Sequence, residues 1–190
     1  YNEVVKEIIE KNETLRDFLD QNPFENLDVL RLAFDGEVNS LDFWMMGLAI
    51  LSRCKNLKTF VSSYLTQEKK EDVVNLNAFL CIFNPAIEAI TIKASYMDHL
   101  RIKKMPSLKN LKTFEINTKT QQDCPAGMDQ ILDVLSTTNL EKLYISVDNL
   151  KVNSLYKVFA QDKFKKLRDI NLSCIRDMEE ESFLWIISSL

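Results

Sequence analysis

The sequence predicts an α/β solenoid, in which parallel strands line the inner side of a curve and helices line the outer side. An apolar six-residue phrase of the form L-x-x-L-x-L, or a close substitute, recurs at residues 27–32, 57–62, 87–92, 111–116, 140–145 and 167–172. Successive phrases begin 24 to 30 residues apart, and this spacing is typical of repeats built from one strand and one helix. With only three glycines and four prolines in 190 residues, long regular elements are favoured over a loop-rich fold.

The first 26 residues are predicted to form an N-terminal helix or cap. Apolar residues recur at helical spacing from Val4 to Leu19, with charged residues opposite them. Asn22-Pro23 is expected to end this helix, because the residue before a proline disfavours helical geometry. We interpret residues 1–190 as a single domain with about six repeats in 27–190. Since the chain does not begin with Met, we expect it to be a fragment of a longer chain.

Each phrase is predicted to form a strand, and most strands are predicted to lead into a helix. The expected helices cover residues 41–54, with Ser40 as N-cap, then 73–83, 128–136, a segment opening at 152, and 183–190. The first of these is apolar over much of its girth, which places it in the middle of the stack. Residues 67–72 are predicted to be an exposed charged loop. Residues 96–109 lack a helical period and are predicted to be a turn or extended segment.

The candidate functional residues lie between the leucines of the phrases. Successive strand side chains alternate between the two faces of a sheet, so the residues between the buried leucines are expected to face outward. Arg and Tyr dominate interface energetics, and an open inner sheet is the usual place for a protein partner. The candidate protein-binding residues are Arg31, Val61, Lys93, Glu115, Tyr144 and Asn171. For each of them the alternative, an ordinary solvated strand residue, stays open.

The bulk charge and the cysteines limit the class of protein. A net charge of −4 argues against a dedicated nucleic-acid binder, which usually has a basic face. No apolar run approaches the length of a membrane span, so we expect neither a nucleic-acid nor a membrane partner. The four cysteines, Cys54, Cys81, Cys124 and Cys174, form no C-x-x-C pair. They are expected to be reduced, as in the cytoplasm or nucleus.

No catalytic constellation is visible in the sequence. The phosphate-binding loop, the dinucleotide fingerprint and the nucleophile elbow are all missing. The only histidine, His99, lies in the least regular repeat with no cysteine near it, which argues against both a catalytic and a zinc-binding role. We therefore predict a non-enzymatic protein with no cofactor and no metal.

Residues 51–60 (LSRCKNLKTF) resemble the helix-end-to-strand phrase of F-box leucine-rich repeats, and residues 167–190 resemble another such unit. Over residues 15–190 the chain is similar to the leucine-rich repeat family, in its long-repeat strand-and-helix class, which includes ribonuclease-inhibitor-like proteins. It departs from the family where Asn or Cys is expected soon after the last strand residue, since that residue is mostly missing.

The resemblance implies a right-handed solenoid with strands on the concave face, helices on the convex face and a protein partner on the concave face. It implies the substrate-recognition part of an F-box-type ubiquitin ligase adaptor. The alternatives are the sensor or autoinhibitory repeat domain of a NOD-like innate immune receptor, and a regulator of a small GTPase. The oligomeric state stays open.

Overall fold

A computed structural model of the chain describes residues 2–35, 40–65, 84–94, 108–118, 127–147, 164–173 and 184. It contains one six-stranded sheet whose strands are β1 (Val29–Asp35), β2 (Thr59–Leu65), β3 (Ala89–Ala94), β4 (Thr113–Thr118), β5 (Lys142–Val147) and β6 (Asp169–Ser173). All strands are parallel and neighbour one another in sequence order. The helices among the described residues are α1 (Asn2–Lys11), α2 (Glu13–Gln21), α3 (Ser40–Arg53) and α4 (Gly127–Leu135). The predicted α/β class and the strand at every phrase are confirmed.

The strands begin two residues after the start of each phrase, because the first leucine lies in the turn that leads into the sheet. Leu57 is 1% exposed although β2 starts only at Thr59. The backbone at the second residue of the phrase already joins adjacent units. The carbonyl of Asp28 accepts the amides of both Lys58 and Thr59, each at 2.9 Å. At each of the other four junctions the equivalent carbonyl also accepts two amides of the following unit.

The core lies on the face of the sheet that carries the phrase leucines. In-register neighbours form a continuous apolar row, made of Leu30, Phe60, Ile90, Phe114, Leu143 and Ile170. Phe60 and Phe114, the two aromatic substitutes, are fully buried. From the helix side, α4 adds Ile131, Leu132 and Leu135, which are also fully buried. Stacked units therefore share one core that none of them could form alone.

Ser62 interrupts the second apolar row. It lies in register between Leu32 and Ile92 and is 2% exposed. Its hydroxyl has no hydrogen-bond partner among the described residues. A buried hydroxyl without a partner destabilises a fold by about 1–3 kcal/mol, so the irregular residue of the second phrase is a local weakness of the sheet.

Asparagine side chains join the turns of adjacent units. Asn110 and Asn139 donate from Nδ2 to the carbonyls of Pro85 and Lys109, both at 2.9 Å. Asn56 makes the corresponding, longer bond to the carbonyl of Glu25 at 3.4 Å. These asparagines immediately precede the first leucine of a phrase. They thus satisfy backbone carbonyls on the entry side of the strands, whereas the Asn or Cys of the family pattern, which is mostly missing here, follows the last strand residue.

The N-terminal segment, predicted to be a helix or cap, is divided into two helices at Asn12. The backbone of Asn12 is extended, with φ −111° and ψ 95°, and its side chain accepts a hydrogen bond from the Leu15 amide at 3.0 Å. Asparagine is a favoured N-cap because its side-chain oxygen satisfies an amide that the helix leaves free. The new helix α2 ends at Gln21, in agreement with the boundary predicted from Asn22-Pro23.

The other described helices lie where the sequence placed them. Helix α3 spans Ser40–Arg53 and α4 spans Gly127–Leu135, so Ser40 is the first helical residue rather than the residue before the helix. The consecutive residues 48–51 of α3 are all buried, as predicted from the apolar residues on most sides of this helix. Met46, however, is 40% exposed. The predictions for 67–72, 73–83, 96–107 and the helix opening at 152 lie outside the described residues, as does all but Leu184 of 183–190. Within the described part of the chain, no helix is long and apolar enough to cross a membrane.

Candidate functional site

The strand register brings five of the six candidate residues into one row across the sheet. The row, which we call the central row, consists of Arg31, Val61, Thr91, Glu115, Tyr144 and Asn171. Thr91 holds the β3 position, while the sixth candidate, Lys93, lies two residues further along β3 and pairs in register with Asn117. With about 4.8 Å between strands, the row extends about 24 Å across the sheet.

The central row lies on the face opposite the core, which we call the open face. Every open-face residue whose burial is described is exposed or half-buried, whereas the phrase leucines and isoleucines of β1 to β5 are buried. Val29, the first open-face residue of β1, is 44% exposed despite being apolar. The alternation predicted from the phrases is confirmed, and the candidate side chains are accessible to a partner.

Glu115 contacts two residues of β3 on the open face. Its carboxylate accepts a hydrogen bond from Thr91 Oγ1 at 3.3 Å and lies 3.9 Å from Lys93 Nζ. Two candidates chosen separately, Lys93 and Glu115, therefore form an ion pair across β3 and β4. The side chain of Glu115 is 31% exposed, so part of this carboxylate is still available to solvent or to a partner.

Tyr144 is held by Asp169, a residue that was not among the candidates. The Tyr144 hydroxyl donates to Asp169 Oδ2 on the neighbouring strand. This bond is the largest cause that raises the pKa of Tyr144, followed by burial and by the negative charges of Asp169 and Glu115. Asp169 lies two residues before Asn171, the in-register neighbour of Tyr144. Such diagonal positions are within reach of aromatic side chains, so the contact could have been found once the register was known.

Arg31 differs from the other charged candidates because it has no carboxylate partner among the described residues. Its neighbours on the open face are Val29 and Ala33 on its own strand and Val61 on β2. The β1–β2 end of the row thus presents the Arg31 cation beside the apolar side chains of Val29, Ala33 and Val61. The β4–β6 end presents a tyrosine between two carboxylates, those of Glu115 and Asp169.

A separate cleft of about 540 Å³ lies where α1 and α2 meet the end of α3. None of the candidate residues lines it. The charged side chains that line the cleft form ion pairs with one another or with nearby carboxylates. Arg53 Nη2 lies 3.3 Å from Asp20 Oδ1, and Lys6 Nζ lies 3.8 Å from Glu10 Oε1. This cleft could not be predicted from the sequence, because it depends on how separate helices pack.

Groups suited to metal binding or nucleophilic chemistry are few in the described part of the chain. No set of three or more His, Cys, Asp or Glu residues there is arranged to hold a metal ion. Cys54 is a buried free thiol, and burial raises its pKa to about 11. It is therefore protonated at neutral pH and a poor nucleophile. His99 and the other three cysteines lie outside the described residues.

Comparisons of the chain with protein-family models, with curated proteins and with solved structures found no match.

Proposed function

We propose that this protein is a non-enzymatic protein-interaction module and that its partner binds the open face. The observation that carries the proposal is the central row, since residues chosen from the sequence as partner contacts fall side by side on an accessible face. Parallel strands usually have both faces covered by helices. A parallel sheet with one polar, accessible face is therefore unusual, and its exposure has to be explained. Binding a partner supplies that explanation.

The module is proposed to be a right-handed solenoid of the leucine-rich repeat type. Sequential parallel pairing and the recurring shared carbonyl support one strand as the inner part of each repeat. Parallel crossovers are almost always right-handed. Helices pack about 8–10 Å apart whereas strands lie about 4.8 Å apart, so stacking strand-and-helix units bends the sheet and makes the open face concave.

The chemistry of the face indicates what the partner presents. Among the described residues Arg31 has no carboxylate partner, and the valines beside it lose water when they are covered. We therefore expect an acidic side chain of the partner to bind Arg31, with an aliphatic side chain packed on Val29 and Val61. Tyr144, fixed by Asp169, adds a rigid aromatic contact, and such contacts contribute strongly to interfaces.

Substrate recognition within an F-box-type ubiquitin ligase adaptor is the narrower form of this proposal. It rests on the resemblance of residues 51–60 and 167–190 alone. The test for it is whether the captured partner is ubiquitinated less when the open face is altered.

The binding surface is tested by capturing partners with the full-length protein and with two double variants. Arg31→Glu/Tyr144→Ala alters both ends of the central row. Lys166→Glu/Phe18→Ala makes the same kinds of change away from the open face, at residues that are also exposed. Thermal melting establishes that both variants are folded.

Quantitative mass spectrometry should show partners that are lost from the first variant and kept by the control. A charge reversal at a binding centre costs several kcal/mol, so the loss should be nearly complete. If the two variants retain the same proteins, the open face is not the binding surface and the proposal is wrong.

A further inference from the structure

The second residue of every phrase carries a charge, and its sign alternates along the chain. We call these six residues the charge ladder: Asp28, Lys58, Glu88, Lys112, Glu141 and Arg168. Only 27% of the residues in the chain are charged, so charges at all six equivalent positions do not follow from composition. The strict alternation is a second regularity that composition does not supply.

The ladder residues contact one another across neighbouring units. Three ion pairs are formed, Lys58 Nζ to Asp28 Oδ1 at 3.1 Å, Lys112 Nζ to Glu88 Oε2 at 2.7 Å, and Arg168 Nη2 to Glu141 Oε2 at 2.6 Å. The two remaining junctions also join opposite charges. The pKa of Glu88 is lowered mainly by Lys112 and further by Lys58. The pKa of Lys112 is raised mainly by Glu88 and further by Glu141.

The ladder lies where one unit docks on the next. The backbone carbonyls of its first five residues are the ones that accept two amides from the following unit. A charge at this position therefore meets the equivalent charge of whichever unit is docked beside it. This holds for a correct neighbour and for a wrong one.

We propose that the charge ladder encodes the order in which the units stack. The phrases are similar enough that one unit could dock on the next but one. All five native junctions bring opposite charges together. All four junctions that skip one unit bring like charges together, at Asp28 with Glu88, Lys58 with Lys112, Glu88 with Glu141, and Lys112 with Arg168. Like charges directly opposite each other on neighbouring strands are destabilising, so skipped docking is disfavoured at every point in the sheet.

Native stability alone is a weaker explanation of the alternation. The paired side chains remain largely in water, with Lys58 56% and Asp28 63% exposed. Exposed ion pairs of this kind contribute little to folding. Their repulsion in a wrong arrangement is equally small for each pair, but it needs only to bias the choice between alternative neighbours that compete for the same edge.

The test uses an exchange that leaves the composition and net charge unchanged. Lys58→Glu/Glu88→Lys makes two native junctions like-charged, at 28–58 and 88–112. It also makes three skipped junctions opposite, at 28–88, 58–112 and 88–141. The matched control reverses the sign of all six ladder residues, which preserves the alternation.

Skipped docking is detected by a disulfide that the native sheet does not allow. Val29 and Ala89 lie in register on either side of Thr59, two strands or about 9.6 Å apart. This exceeds the roughly 7 Å that a disulfide can bridge. With Val29→Cys/Ala89→Cys added, the full chain is refolded from urea at low salt under oxidising conditions, and mass spectrometry locates the 29–89 disulfide.

We expect about two- to fivefold more of the 29–89 disulfide with the exchanged ladder than with the native one. The excess should disappear in 1 M salt, where the screening length falls to about 3 Å. The fully reversed ladder should behave like the native ladder. Equal amounts in the exchanged and native ladders, or an excess in the reversed ladder as large as in the exchanged one, would overturn the proposal.

Discussion

Tyr144 donates its phenolic hydrogen to the carboxylate of Asp169 on the next strand. A half-exposed aromatic ring on a sheet would otherwise sample several rotamers. The bond fixes the ring beside Glu115, its in-register neighbour on β4. Two residues on different strands thereby set the position of the only aromatic side chain of the central row.

Removing the Asp169 carboxylate should lower the pKa of Tyr144 towards its ordinary value of 10.0. In the native protein this pKa is raised, mainly by the hydrogen bond to Asp169. The corresponding stabilisation is therefore complete below the ordinary tyrosine pKa and is lost as the pH rises through the folded-state value. NMR titration of labelled tyrosine in Asp169→Asn should show the decrease. Asn171→Ala, which alters the in-register neighbour instead, should leave the Tyr144 titration where it is.

The Glu88 carboxylate should titrate below its ordinary value of 4.5, because Lys112 donates a hydrogen bond to it and lies close as a positive charge. Stability from this pair is present above the ordinary carboxyl pKa and is lost as the pH falls through the lowered one. In Lys112→Gln the pKa of Glu88 should rise, as measured by NMR of its side-chain carboxyl carbon. Lys109→Gln removes an exposed lysine of the preceding turn and should cause a much smaller rise. A Glu88 titration that is the same in all three proteins would contradict the ion pair.

Replacing Ser62 with valine should stabilise the protein. The change removes a buried hydroxyl that has no partner among the described residues and restores an aliphatic side chain between Leu32 and Ile92. We expect the free energy of unfolding in urea to increase by about 1–3 kcal/mol with an unchanged m value. The control Ser63→Val lies on the open face and should change stability by no more than about 0.5 kcal/mol. A loss of stability in Ser62→Val would show that the site cannot hold the larger side chain.

The asparagines before the strands should differ in their contribution to stability. Asn110→Ala and Asn139→Ala each remove a bond of 2.9 Å to a backbone carbonyl and should cost about 0.5–1.5 kcal/mol. Asn56→Ala removes a bond of 3.4 Å and should cost less. Urea unfolding measures the differences, with Asn117→Ala on the open face as the control. Equal effects at all four positions would mean that these bonds do not join the turns in solution.

The sequence by itself determined which residues form the sheet and which of their side chains enter the core. The apolar phrase repeats at nearly constant spacing, and strand side chains alternate strictly, so burial and strand order follow from local pattern. The candidates Arg31, Val61, Glu115, Tyr144 and Asn171 could be placed on one face for the same reason. The alternating charges from Asp28 to Arg168 were also present in the pattern, but their meaning depends on which units are adjacent.

Only the tertiary structure decided contacts that depend on strand register and on whether a side chain is long enough to contact the next strand. It also decided where one local preference, such as helix capping, outweighed another. The helical spacing of apolar residues continues past Asn12 and predicts an unbroken helix. There, the capping hydrogen bond from the Leu15 amide to the Asn12 side chain outweighed continuation of the helix. Asp169 was overlooked as the partner of Tyr144 because a diagonal contact requires both the register and the length of the aromatic side chain. The physical reason is the same in each case: periodicity specifies the face on which a side chain lies, whereas its partner is specified by distances between segments far apart in the chain.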